Sequence, residues 1–115
     1  MAISHLSSGE ITSVLPLGSA LGSTPTTAIF KDDRLEVIRI VLSAGKRMPT
    51  HAVDGPITVQ CIEGEVDLDV DDARKKIRAG DLIYLAGGVA YNLTAVENSS
   101  LLLTIALPAP SLHSA

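Results

Sequence analysis

Gly45-Lys46-Arg47-Met48-Pro49-Thr50-His51-Ala52-Val53-Asp54-Gly55-Pro56, continued by Ile57-Thr58-Val59-Gln60-Cys61-Ile62-Glu63-Gly64, is the stretch on which the reading of this chain turns. Its first half sets His51 in a loop between Gly45 and Pro49 on one side and Gly55-Pro56 on the other. His51 is the one histidine outside the two ends of the chain, the others being His5 and His113. The second half is an apolar strand from Ile57 to Ile62 that stops at Glu63-Gly64. Strand parity puts Ile57, Val59 and Cys61 on one face and Thr58, Gln60 and Ile62 on the other. A histidine held between backbone punctuators and followed directly by a buried strand is placed for a pocket.

The flanking sequence supplies a barrel around that pocket. Upstream, Thr27 to Lys31 reads as a strand, Asp32-Asp33 as a turn, and Arg34 to Leu42 as a strand apolar on both faces, with Glu36 and Arg39 on opposite sides. Downstream, Glu65, Asp67 and Asp69 alternate with Val66, Leu68 and Val70. A turn at Asp71-Asp72 sets these acids opposite Arg78, Lys76 and Arg74 in a single hairpin register. Asp71-Asp72 lacks the Gly or Asn that a two-residue hairpin turn prefers, so a longer loop is the alternative. Further strands are expected at Leu82–Leu85, Val89–Val96 and Leu101–Leu107, separated by turns at Gly80-Asp81 and Gly87-Gly88 and a polar loop at Glu97–Ser100. Eight to ten short strands with essentially no helix indicate an all-β fold, a small barrel or two-sheet jelly roll. Residues 1–26, rich in Ser, Thr, Gly and Pro, read as an arm whose β-like run, Ile11 to Leu15, adds an edge strand to this sheet or a partner's. Residues 27–110 form the barrel and 111–115 a tail.

Composition narrows the function classes. The 115 residues fit one domain. Nine basic against 13 acidic residues give a net charge of −4, which argues against nucleic acid and anionic membranes as partners. No apolar run is long enough to span a bilayer and the first residues lack a secretory pattern, so the expected setting is the cytoplasm. Cys61, the only cysteine, reads as a small buried apolar side chain rather than a nucleophile. Hydrophobic residues make up 46% of a short chain; hiding them all in one small body is difficult, which points to a homodimer.

Two segments resemble the two motifs of the cupins. The first runs from Gly45 through His51 to Glu63-Gly64; the second is Gly80-Asp81-Leu82-Ile83-Tyr84-Leu85-Ala86-Gly87-Gly88-Val89-Ala90-Tyr91-Asn92. The resemblance covers residues 35 to 107 and implies a double-stranded β-helix, often dimeric through an exchanged N-terminal strand. Many members of that family hold a transition metal in the barrel and act as dioxygenases, isomerases or lyases, while others bind or sense small molecules. Gly45 and His51 match the first motif, but Val53 stands at its second histidine and Ile57 at its acidic ligand. Gly80 and Gly88 match the second motif, Ala86 replaces its proline, and Tyr91 stands at its last histidine.

One of the usual metal ligands therefore remains, and a divalent metal wants three or more. The leading expectation is a cupin-like binder without a cofactor. Its small-molecule ligand lies against His51, Tyr91, Val53, Ile57, Val59 and Cys61, with Tyr91 able to donate a hydrogen bond. The bland alternatives are a loop histidine satisfied by a carbonyl and a barrel-filling tyrosine. A second reading is a metal-dependent dioxygenase or isomerase holding Fe, Mn, Ni or Zn with His51, Gln60 and solvent. A third is a structural domain that works only by dimerising. Gln60 has a blander role of its own, an amide between strands or subunits.

Overall fold

Alternation of apolar and polar residues resolves into two antiparallel sheets facing each other. The computed structural model describes residues 5–108. Its strands are β1 (Thr27–Lys31), β2 (Leu35–Leu42), β3 (Arg47–His51), β4 (Ile57–Glu63), β5 (Glu65–Val70), β6 (Ala73–Arg78), β7 (Leu82–Leu85), β8 (Tyr91–Ala95) and β9 (Ser99–Ala106). One sheet has the order β1-β2-β9-β4-β7 and the other β3-β8-β5-β6. The core is built from every second residue of the central strands. Ile57, Val59 and Cys61 from β4 and Leu101, Leu103 and Ile105 from β9 meet Val66 and Leu68 from β5 and Tyr91 and Leu93 from β8.

The β5–β6 hairpin has the register that the charges specify: Glu65 opposite Arg78, Asp67 opposite Lys76 and Asp69 opposite Arg74. Arg74 Nε lies 2.8 Å from Asp69 Oδ1, and Lys76 Nζ lies 2.9 Å from Glu65 Oε2 and 3.2 Å from Asp67 Oδ1. The turn is the tight two-residue form after all, with Asp71 at φ 50° and Asp72 at φ 62°. Both sit in the left-handed region that such a turn demands, and aspartate is among the few non-glycine residues that enter it readily.

Two expectations are corrected. His51 is not in a loop but closes strand β3, which pairs with β8 through Arg47–Thr94, Met48–Leu93 and His51–Tyr91. The register shifts between Met48 and His51, an irregularity on an edge strand that accommodates Pro49, which has no N–H for the ladder. Ser99 and Ser100 belong to β9 rather than to a polar loop. Both are fully buried, and their hydroxyls are satisfied, Ser99 Oγ donating to Glu97 O at 2.7 Å and Ser100 Oγ to Glu63 Oε2 at 2.6 Å. Within the single chain the run Ile11–Leu15 pairs with no strand of its own sheets among the described residues, and Ile11 and Leu15 are exposed.

What holds the arm is a side chain. A short 3-10 helix, Gly18–Ser23, buries Leu21. Glu63 Oε2 accepts from Leu17 N–H at 2.7 Å and Oε1 from Gly18 N–H at 3.0 Å, while Arg39 donates to Leu15 O at 3.0 Å. Of the expected segments, 1–4 of the arm, the end of the barrel from 109 and the tail 111–115 lie outside the described residues.

Candidate functional site

At one mouth of the sandwich the inward faces of β2, β3 and β9 part to leave a cavity of about 350 Å³. Its walls are Ile38, Ile40, Met48, Val53, Leu103, Ile105 and Leu107, with Thr26, Glu36 and His51 as polar members. The β2 residues arise from one parity: Glu36, Ile38 and Ile40 are alternate positions and so share the inner face. The Thr26 hydroxyl is engaged at its own backbone corner, accepting from Val41 N–H at 2.8 Å. That leaves Glu36 and His51 as the polar groups free to meet a ligand. Among the described residues the Glu36 carboxylate forms no ion pair, including with Lys31, its cross-strand neighbour on β1.

His51 and Tyr91 are brought together. They are directly paired across β3 and β8, and their rings meet edge to face with centroids 6.2 Å apart and planes at 85°. Their environments differ sharply. His51 is exposed at the rim of the cavity, whereas Tyr91 is 1% exposed, and its hydroxyl has no hydrogen-bond partner among the described residues. Burial pushes the Tyr91 phenol above its ordinary range, because a phenolate there would be poorly solvated.

The remaining expected pocket residues divide by depth. Val53 lines the cavity with His51. Ile57, Val59 and Cys61 lie in the close-packed core instead, Val59 and Cys61 fully buried, so the lining is narrower than the sequence suggests. These side chains fill the barrel because successive inward positions of β4 lie beside the equally apolar inward positions of β9 in the same sheet, and both rows face the other sheet. The Cys61 thiol is pushed up to about 11 by burial, with the Asp81 and Glu63 charges adding to it. Such a thiol is protonated and unreactive at neutral pH. Gln60 is exposed on the outer face of its sheet, opposite Leu82 of β7 and Leu102 of β9, and so cannot share a ligand or metal with His51. Glu36 went unrecognised as a site residue. Its signal was an acidic side chain on the inner parity of an otherwise apolar strand.

A tightly held transition metal does not fit this donor set. Among the described residues no three His, Cys, Asp or Glu side chains converge. Val53 and Ile57 offer no donor atom, and the Tyr91 phenol resists the ionisation that ligation requires.

The packing of two antiparallel sheets around an interior open at one mouth has close counterparts among solved structures. A cupin-family protein with a double-stranded β-helix fold from Methanocaldococcus jannaschii superposes with a TM-score of 0.71 at 19% identity, over 86% of this chain and 94% of that one. The chain has the cupin fold. A protein of unknown function from Streptococcus pyogenes matches the cupin fold of this chain with a TM-score of 0.74 at 20% identity, over 96% of this chain and all 100% of its own. Salicylate 1,2-dioxygenase from Pseudoaminobacter salicylatoxidans shares the fold over 64% of this chain and 21% of the enzyme, with a TM-score of 0.60 and 22% identity. No protein-family model and no curated protein matches the sequence.

Proposed function

We propose that this protein binds a small amphipathic molecule at the mouth of its cupin barrel, the apolar part against Ile38, Leu103 and Ile105 and the polar end beside His51. Tyr91 is not part of the cavity wall; its ring packs edge to face against His51 and supports that residue from behind the rim. The observation that carries the reading is a cavity whose walls are apolar side chains and whose rim carries His51 and the carboxylate of Glu36, unpaired among the described residues, an apolar pocket with a few convergent polar groups being the usual form of a small-molecule site. A cavity of this size stands at the small end of ligand sites. The reading includes no resident metal, no nucleic-acid or membrane partner and a cytoplasmic setting. No helix among the described residues is long and apolar enough to cross a membrane.

A thermal-shift screen of small metabolites on the wild type and on Val53→Trp tests it. A ligand present at a hundredfold excess over its Kd stabilises the fold by about 2.7 kcal/mol, a rise of several degrees in Tm. The expected result is a compound that produces this rise in the wild type and loses it in the variant with the filled mouth. A compound that stabilises both proteins equally, or a screen without a stabilising compound, counts against the site.

A further inference from the structure

Resting on that reading, we infer that the cavity selects a small organic cation, a monoamine with a short apolar body, and that Glu36 is the residue that selects it. Apart from Thr26, whose hydroxyl is engaged by Val41 N–H, the wall has two polar groups, and both can accept a hydrogen bond: the Glu36 carboxylate and the His51 imidazole. Among the described residues neither Lys nor Arg lines the cavity, Lys31 opposite Glu36 standing outside it, so a carboxylate or phosphate ligand meets a like charge with no cation in the wall to offset it. An ammonium group meets the reverse situation. It brings donors to acceptors and positive charge to negative, a charge-assisted bond stronger than a neutral one.

The position of Glu36 adds selectivity. It is half-buried, flanked on its own strand face by Ile38 and across β9 by Ile105, so water screens it less than a surface acid. Among the described residues its carboxylate has no internal ion pair, and an incoming cation displaces no protein partner. Glu36 lies opposite Lys31 on β1, and that exposed lysine is the competitor the ligand must outmatch.

Backbone amide NMR titrations with hexylammonium, 1-hexanol and hexanoate, on the wild type and on Glu36→Gln, test the inference. In the wild type hexylammonium is expected to bind at least tenfold more tightly than hexanol and hexanoate most weakly, with shifts at Ile38, Met48 and Leu103. In Glu36→Gln the preference is lost, and the ammonium binds no more tightly than hexanol does to the same variant. Hexanol binding with no ammonium preference, or an ammonium preference that survives Glu36→Gln, overturns the inference and leaves the cavity reading standing. Absence of shifts at these residues with all three probes overturns the cavity reading itself.

Discussion

The Tyr91 hydroxyl is buried and has no hydrogen-bond partner among the described residues. A buried polar group without a partner costs about 1–3 kcal/mol, and the core around Tyr91 is otherwise aliphatic. Tyr91→Phe keeps the ring, its edge contact with His51 and the packing volume while removing the orphaned oxygen. Urea unfolding of the variant should therefore show a gain of about 1 kcal/mol. A loss of stability would mean that the hydroxyl has an internal partner in solution. The pairing of His51 with Tyr91 was legible because each stands at a motif position of the cupin pattern. Glu36 was not, because parity assigns a face but does not say where along the barrel that face opens.

At the scale of elements, the β5–β6 turn is the place where the sequence departs from its own best choice. Asp71 and Asp72 both adopt positive φ, a region aspartate enters more readily than most residues but at a higher cost than glycine, which has no Cβ. Asp71→Asn combined with Asp72→Gly should raise stability by about 1 kcal/mol without changing the register, as measured by denaturant midpoint and by cross-strand NOEs between Val70 and Ala73. The hairpin was readable to the residue because charge and alternation agreed on one register. Strand β3 was hidden because Pro49 and polar neighbours mask a strand that exists only by pairing with β8. Ser99 and Ser100 were hidden because their polarity is satisfied internally by Glu97 and Glu63.

Glu63 ties the arm to the sheet and makes that tie depend on pH. Burial acts to raise its pKa, but hydrogen bonds from Ser100, Leu17 and Gly18, with the Arg39 charge nearby, outweigh this and hold the carboxyl below its usual range. A carboxyl whose pKa is depressed by folding stabilises the native state above its unfolded pKa, and that contribution is lost as pH falls through the folded value. Stability should accordingly decline on acidification below the ordinary glutamate range, and Glu63→Gln should flatten that part of the profile while lowering stability at neutral pH. Hydrogen exchange at the Leu17 and Gly18 amides should quicken in the same acid range. An acid profile identical in wild type and variant would remove Glu63 from this role.

For the whole molecule, the outer face of the five-stranded sheet bears on assembly. Leu82 and Tyr84 of β7 are 63% and 65% exposed. Beside them Leu35, Pro56, Thr58, Thr104 and Ala106 contribute to a shallow groove of about 280 Å³ without a charged side chain. Two copies of a chain with a net charge of −4 repel wherever acidic surfaces meet, and a two-fold contact sets each patch against its own image. We propose that a second copy of this chain covers that uncharged patch. Sedimentation should give twice the 12.0 kDa chain mass at micromolar concentration, and Tyr84→Glu should return a folded single copy. A wild type that sediments as a single chain at high concentration would refute it.

The other sheet meets the opposite need. Its free margins are β3 and β6; β6 carries Arg74, Lys75, Lys76 and Arg78, and β3 carries Pro49. A stray extended peptide approaching β6 would have to press past a crowded row of cations, and one approaching β3 meets a gap in the donor row. Growth into fibrils by strand addition is thereby obstructed at both rims of this layer, so a chain so rich in aliphatic residues can reach high concentration without seeding its own aggregation there.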